Sequence, residues 1–453
     1  MKCSHKNIFS VAWVILVFSV VISVFVRLPF GFFDEQVHYV RSLGISNSQL
    51  LAYPKENDSN KLGHDIDSSN LRFVDRYLGN KSDVISAGWI NDESEAKSGH
   101  KAYVVNTSAA PYTPIPYLPY ATAVLVSGAI NLDVKSEFIT MRLFGAISSL
   151  MIVAAAFFVA PSRYRWSVIA LSLIPMSIAA FAGISTDGFT IAIALLFMTT
   201  VARMVELIQK GTLANRHIVF LATVSVLLVM AKMPIFLMIA LLLWVIIIFW
   251  KEIKKTHKIG LLLIIAITAA ITLAWALYAK DINTGAYWGR NVDTAAQLTY
   301  IAENPLVFMK NLTYSMLNYD YVNITYLLYA DSIFYSNIPF VIDMVVFVGL
   351  GLSAFVSVKH THLMKQRVWL YWAQVALFVL IGIAMFVLLY LQFTLVGTPD
   401  AIEGVQPRYF LPFLPLLVMM PYGLALSRNI RIFTYSTPFI GVTVYLGYIM
   451  LQL

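Results

Sequence analysis

The sequence predicts an all-α polytopic membrane protein of about eleven transmembrane helices, with interfacial helices in a large first outer loop. Three observations carry that expectation. Of the 453 residues, 59% are hydrophobic and 12% are charged, and the mean hydropathy is +0.74. Soluble domains are roughly 45–50% apolar. Apolar runs of about 20 residues, enough to cross a bilayer, recur along most of the chain. Lys and Arg gather in the short segments between them, so the net charge of +8 belongs to membrane orientation rather than nucleic-acid binding. The single cysteine, Cys3, rules out an intramolecular disulfide and a cysteine-based metal site.

The whole chain, residues 1–453, reads as one transmembrane domain. Its first run, 9–27, follows Lys2 and Lys6 and has no small-x-small cleavage signature before Arg27. It reads as a retained anchor with its N-terminus inside. Further spans are expected at 139–160, 166–184, 188–207, 216–231, 233–250, 258–279, 338–357, 368–394, 409–426 and 431–451. One more run, about 117–131, is decided by charge. The basic clusters are Lys2/Lys6, Arg163/Arg165, Lys210/Arg216, Lys251/Lys254/Lys255/Lys258, Lys359/Lys365/Arg367 and Arg428/Arg431. All share one side only if 117–131 does not cross. Pro111, Pro114, Pro116 and Pro119 also suit an entry turn better than a straight span. Tyr117–Asn131 is therefore expected to lie in the outer interface. This parity leaves two large outer loops, 28–138 and 280–337.

Directly after the first span, Phe33-Asp34-Glu35-Gln36-Val37-His38-Tyr39-Val40-Arg41 places four ionisable side chains within eight positions. At helical spacing Asp34, His38 and Arg41 share one face, with Glu35 beside it. A carboxylate at the water–lipid boundary suits a general base acting on a lipid-linked substrate. The same pattern also suits an interfacial helix that turns its polar face to solvent. The parity brings more polar residues to that side: Tyr112 and Tyr117 at the interfacial helix, Arg142 at the start of span two, and Asp187 before span four. Lys232 in a tight turn, and Gln406, Arg408 and Tyr409 before span ten, join them. Arg142, Lys232 and Arg408 could each be snorkelling anchors, and Asp187 a helix cap. Together they supply carboxylates for proton transfer and cations for a phosphate at one membrane depth. Charges in the spans, such as Arg203, Glu206 and Asp343, fall near span ends. Neither midplane ionisable residues nor broken helices, the marks of a secondary transporter, are expected. Asp187 has no second ligand two positions away and makes a poor metal site. No cofactor is expected, a divalent ion being left open.

Four elements occur in order along the chain: Phe33-Asp34-Glu35 with His38 and Arg41; Tyr112-Thr113-Pro114-Ile115-Pro116-Tyr117-Leu118-Pro119; Pro175-Met176 with Ser185-Thr186-Asp187; and Gly404-Val405-Gln406-Pro407-Arg408-Tyr409-Phe410-Leu411-Pro412. With these the chain resembles a bacterial family of multispanning membrane proteins of unknown function, grouped in the GT-C class of glycosyltransferases. It departs from that family's pattern at Phe33, usually proline, and at Pro407, usually glycine. The resemblance implies a GT-C-like fold, a sugar donor carried on a polyprenyl phosphate, and a catalytic Asp or Glu in the first outer loop. Protein O-mannosyltransferases of the class are similar in having an Asp-Glu pair there, an interfacial helix before span two, and an Arg at that span's start, where Arg142 falls.

The resulting expectation is an inverting glycosyltransferase of the bacterial cytoplasmic (inner) membrane with its active site on the extracytoplasmic face. It would move a sugar from a polyprenyl-phosphate donor to a glycan or lipid-linked acceptor of the cell envelope, O-antigen or a similar polysaccharide. Asp34 would be the general base, with Glu35 beside it. Arg142, Lys232 and Arg408 would hold the donor phosphate, and Asp187 and His38 would orient the sugar or the base. Tyr112 and Tyr409 would stack on a sugar ring, with Arg41, Tyr117 and Gln406 completing the substrate site. Transfer of a whole glycan, and a lipid-linked sugar flippase or transporter, are the alternatives.

Overall fold

A computed structural model of the chain describes residues 5–56, 58–78, 87–280, 282, 292–317, 340–353, 365–398, 402–419 and 428–452. Helix α1 (His5–Val26) is apolar on every side. Its Ala12, Leu16, Val20 and Val24 recur every four residues and are fully buried, whereas Val14 and Phe18 are more than half exposed. An apolar helix with one face on the protein and one left uncovered is what lipid requires. Large apolar side chains are likewise exposed on later helices, among them Met151, Phe158 and Leu306.

Among the described residues, five helices are long and apolar enough to cross a membrane: α1 from Ile8, Val134–Val159, Thr186–Gln209, Lys255–Ala279 and Val368–Gln392. In chain order the helices up to the fourth of these are α2 (Glu35–Ser46), α3 (Ser68–Leu78), α4 (Leu118–Ala129), α5 (Val134–Val159), α6 (Arg165–Ser172), α7 (Pro175–Ala182), α8 (Thr186–Gln209), α9 (Asn215–Val229), α10 (Ala240–Ile248) and α11 (Lys255–Ala279). They are followed by α12 (Thr294–Glu303), α13 (Pro305–Leu317), α14 (Phe340–Ser353), α15 (Lys365–Gln392), α16 (Leu414–Val418) and α17 (Arg428–Gln452). Several expected spans are thus shorter apolar helices, and parts of 338–357 and 409–426 lie outside the described residues, as does all of 318–337. Helix α4 has 12 residues, short of the ~20 needed to cross.

Two expectations are corrected. The run 166–184 is not one straight span: α6 and α7 meet at a 72° bend. Pro175 supplies no N–H and pushes Ile174 to an extended ψ of 127°, so the helix must stop before it. The Ser177 hydroxyl donates to the freed Leu171 carbonyl at 2.9 Å. A broken helix is therefore present where none was expected.

The chain is also not all-α. Strands β1 (Tyr53–Lys55), β2 (Asp58–Asp67) and β3 (Lys101–Val105) form an antiparallel sheet in the order β1-β2-β3. His64 pairs with Val104 and Asp65 with Tyr103. His64 and Ile66 are fully buried while Lys61 is exposed, the alternation that a sheet with one covered face needs.

The sheet, α2, α3 and α4 form a cap over the end of the bundle where α1 finishes. Its core is aromatic: the Phe30 ring lies 5.5 Å from Tyr39, 5.8 Å from Phe73 and 5.2 Å from Phe138 at the start of α5. The Trp89 indole ties the cap to α1 by donating to the Phe25 carbonyl at 2.9 Å. A larger apolar core runs through α1, α5, α7, α8, α9 and α10.

Candidate active site under the aromatic cap

The chain leaves α1 through a turn at Pro29 and reaches Asp34, whose φ of 56° lies in the left-handed region. For most residues this costs roughly 1–2 kcal/mol, and Asp tolerates it better than most. Helix α2 then starts at Glu35. Its polar residues do not face solvent: Glu35 and Arg41 are fully buried and His38 is 5% exposed. The solvent-facing interfacial helix is thereby excluded.

Two of the expected substrate cations are held within the protein. Arg142 donates from Nε and Nη2 to the two carboxylate oxygens of Glu35, at 2.8 and 2.7 Å. Its other N–H groups meet the carbonyls of Val24, Arg27 and Leu28 at 2.7–2.9 Å. All five guanidinium donors are matched, and both partners are fully buried. Glu35 also accepts the Ile184 N–H at 3.0 Å, so the pair clamps α1, α2, α5 and the turn before α8. Arg142 has no donor left for a phosphate, and Glu35 none of the access that a base requires. Arg41 meets His64 Nε2 at 2.9 Å and the carbonyls of Leu50 and Tyr112 at 2.8 and 3.3 Å, tying α2 to the sheet. Glu35 and Arg142 are thus engaged with each other and with the backbone rather than open to a substrate, and Arg41, whose Nε has no hydrogen-bond partner among the described residues, lies against the sheet.

The other charged residues come together. Arg408 Nη2 lies 2.5 Å from Asp34 Oδ2 and its Nε lies 3.6 Å from Asp187 Oδ2. Lys232 Nζ lies 3.0 Å from Asp187 Oδ1. Asp34 is the open member, 38% exposed in its side chain against 7% for Arg408, 17% for Asp187 and 16% for Lys232. Two carboxylates and two cations balance.

Each member is positioned by local geometry. Ser185, not Asp187, caps α8 by accepting the Asp187 N–H at 3.3 Å, which leaves the Asp187 carboxylate for the cluster. Tyr120 of α4 pins that turn by donating to the Ser185 carbonyl at 2.9 Å. Gly183 is required there, because a Cβ would lie 2.7 Å from the Phe32 ring. Lys232 is the extended residue between α9 and a 3-10 helix, Met233–Ile239. Arg408 lies in the 3-10 helix Pro407–Phe413, where Pro407 in the first turn forfeits no hydrogen bond. The Gln406 Oε1 is buried without a hydrogen-bond partner among the described residues.

Aromatic rings surround the cluster. The Arg408 guanidinium sits 4.5 Å from the Phe33 ring, and Lys232 Nζ 4.3 Å from Tyr409 and 5.8 Å from Tyr112. His38 Nδ1 is 2.8 Å from the Tyr117 hydroxyl, and its ring meets Tyr112 edge-on at 5.5 Å. Burial lowers the His38 pKa to about 4 against the pull of Asp34 and Asp187, so the imidazole is neutral. Burial likewise pushes the Tyr112 hydroxyl up to about 12. Phe33, marked in the sequence only as a departure from the family pattern, and Tyr120, which nothing in an aromatic-rich apolar chain marks, have supporting roles here.

A narrow cleft opens beside the cluster, with Phe32, Phe33, Met176, Ala180, Ile191 and Leu411 as its apolar wall and Asp187 and Arg408 as its polar end. The arrangement offers an accessible carboxylate able to accept a proton, two cations able to meet an anion, and an apolar approach. Among the described residues, no three His, Cys, Asp or Glu side chains are grouped as a metal ion would require.

The family model described as "Predicted membrane protein (DUF2142)" matches residues 16–417, a stretch that contains every member of the cluster. No curated protein and no solved structure matches the chain.

Proposed function

The chain belongs to the DUF2142 family of predicted membrane proteins, and from the cluster beneath its aromatic cap we propose that it is an inverting glycosyltransferase using a polyprenyl-phosphate sugar. In this reading the fold is GT-C-like with about eleven crossings. The cap faces the extracytoplasmic side of a bacterial cytoplasmic membrane, and the acceptor is a cell-envelope glycan such as O-antigen. The observation that carries the reading is the linkage of Asp34 and Asp187 through Arg408, with Lys232 beside them, at the end of an apolar cleft.

The acceptor hydroxyl attacks C1 of the sugar while Asp34 takes its proton. The C1–O bond to the phosphate breaks, and the electron pair leaves with the polyprenyl phosphate. Arg408 and Lys232 meet the charge on that departing oxygen. Asp34 and the donor phosphate compete for the same guanidinium, so arrival of the donor releases the carboxylate for its work as base. Asp187 keeps Lys232 in place and offers an acceptor for a sugar hydroxyl, and Tyr409 and Tyr112 wall the sugar site.

One observation favours a second reading, lipid-linked sugar transport: the α6/α7 break, a feature of transporter binding sites. Leu173, Ile174 and Met176 at the break are apolar and buried, and Ser177 already satisfies Leu171. The break therefore presents no group that would read a sugar or a phosphate.

Transfer of radiolabelled sugar from polyprenyl-phosphate donors to envelope glycan, measured with purified protein in detergent, separates the two. Transfer with no bilayer to cross supports the enzyme. Translocation in liposomes without any transfer in detergent overturns it.

A further inference from the structure

A second polar cavity lies at the opposite end of the bundle. It is ~24 Å along α8 from Asp187, counting 1.5 Å per residue to Arg203. The last turn of α5, the turn Ser162–Tyr164, the end of α8 and the start of α9 line a half-open cavity of about 420 Å³, within the usual range of ligand pockets. Arg165, Arg203, Glu206 and His217 form its polar side, two cations against one carboxylate, and Phe158 and Phe220 its apolar side.

The polar side has unused positive charge. Among the described residues Arg165 makes no hydrogen bond or ion pair. Its Nε is buried without a partner, and its guanidinium rests 5.4 Å from the Phe157 ring. Arg203 pairs with Glu206 at 2.7 Å, but that one carboxylate is shared with Lys210 at 2.6 Å. His217 Nδ1 accepts the Ala214 N–H at 3.1 Å, so its proton is on Nε2, a donor. Arg165 is only half-buried, and its guanidinium lies along the wall of this half-open cavity.

The apolar side is uncovered. Phe158 is 74% exposed and Phe220 41%, and the neighbouring Val219 is 65% exposed. A water-soluble anion has no use for such a lip, but an acyl chain does. We propose that this cavity binds the headgroup phosphate of an anionic phospholipid, with Arg165, Arg203 and His217 on the phosphate and the acyl chain over Phe158 and Phe220. The site is independent of the chemistry at Asp34.

Native mass spectrometry of the full chain, with phosphatidylglycerol or phosphatidylcholine added, tests this. Wild type is expected to retain phosphatidylglycerol and not phosphatidylcholine. Arg165→Gln is expected to lose that retention by about tenfold or more, and Ser162→Trp, which narrows the cavity, to do the same. Lys254→Gln removes one charge from the same end outside the cavity and is expected to retain the lipid. Melting in phosphatidylcholine micelles checks that each variant is folded, and Ser162→Trp decides if Arg165→Gln is not. Equal retention of the two lipids, equal loss in Lys254→Gln, or complete displacement by millimolar inorganic phosphate would overturn the proposal.

Discussion

Arg408 Nη2 and Asp34 Oδ2 lie 2.5 Å apart although 374 residues separate them in the chain. Arg408 is almost wholly buried, while the Asp34 side chain is 38% exposed. The guanidinium is therefore packed in place, while the carboxylate is open to solvent on one side. An incoming phosphate would take the place of Asp34 on Arg408 without disturbing the fold. In the proposed reaction this makes the base available only once the donor is bound.

Replacement of Asp34 by Asn should lower turnover by about 10²–10⁴. Asn tolerates the left-handed backbone that Asp34 adopts, so the variant removes charge without adding strain. The melting temperature should stay near that of wild type. Because Arg408 loses a competing carboxylate, the donor KM should not rise. A purified Asp34→Asn protein that turns over at more than half the wild-type rate removes Asp34 from the mechanism.

The two arginines should behave differently on exchange for lysine. Arg142→Lys leaves Glu35 and three carbonyls short of donors in a fully buried site. Breaking such a pair costs on the order of 3–5 kcal/mol, so low yield and a large drop in melting temperature are expected, as for Glu35→Gln. Arg408→Lys should fold but cannot span Asp34 and Asp187 with a planar fork. Its affinity for the donor should fall about tenfold, or ~1.4 kcal/mol. Transfer rate against donor concentration, with a melting curve for each variant, distinguishes them. A wild-type rate curve for Arg408→Lys would return Arg408 to an anchoring role.

Asp34, Asp187, Lys232 and Arg408 stood out in the sequence because charge is scarce in this chain and span parity gives its depth. Pairing was not legible. Arg142 carries the same signature as Arg408, an arginine near a span end, yet the turn at Pro29 leaves the carbonyls of Val24, Arg27 and Leu28 pointing at it. That pairing is set by contacts between residues more than 100 positions apart, which spacing along the chain does not reveal. Strand β2, Asp58–Asp67, is rich in residues of low strand propensity and forms by pairing with β3 over the buried His64 and Ile66. The α6/α7 break follows from one proline, and membrane helices often accommodate one without breaking.

His38 should make stability pH-dependent. Burial lowers its pKa from the usual 6.5 to about 4 in the folded chain. Between these values the unfolded chain binds a proton that the folded chain does not. The contribution is fully present above pH 6.5 and is lost as pH falls toward 4. It amounts to on the order of 3 kcal/mol. The melting temperature of wild type in detergent should drop between pH 7.5 and 5, and that of His38→Gln should drop less. His64, lowered to about 3 by burial, acts in the same direction in both proteins. Equal slopes for the two would mean that His38 is not the neutral, buried imidazole described above.

The orientation of the bundle decides on which face any chemistry occurs. Ala96, in the segment leading to β3, and Thr256, at the start of α11, are both exposed and sit at opposite ends of the expected topology. Ser98 is a poorer probe than Ala96, because its hydroxyl is bonded to Asp67 at 2.7 Å. In a Cys3→Ser background, Ala96→Cys should react with a membrane-impermeant maleimide in intact cells whose outer membrane is permeabilised. Thr256→Cys should react only after lysis, since Lys251, Lys254, Lys255 and Lys258 beside it favour the cytoplasmic side. If instead Thr256→Cys labels in intact cells and Ala96→Cys does not, the bundle is inverted and the Asp34 cluster faces the cytoplasm. A nucleotide-activated donor would then be within reach, and the polyprenyl-phosphate reading would lose its reason. If both label alike, the number of crossings between 96 and 256 is even rather than odd. The non-crossing placement of 117–131 would then be wrong, and with it the depth argument that groups Asp34 with Lys232.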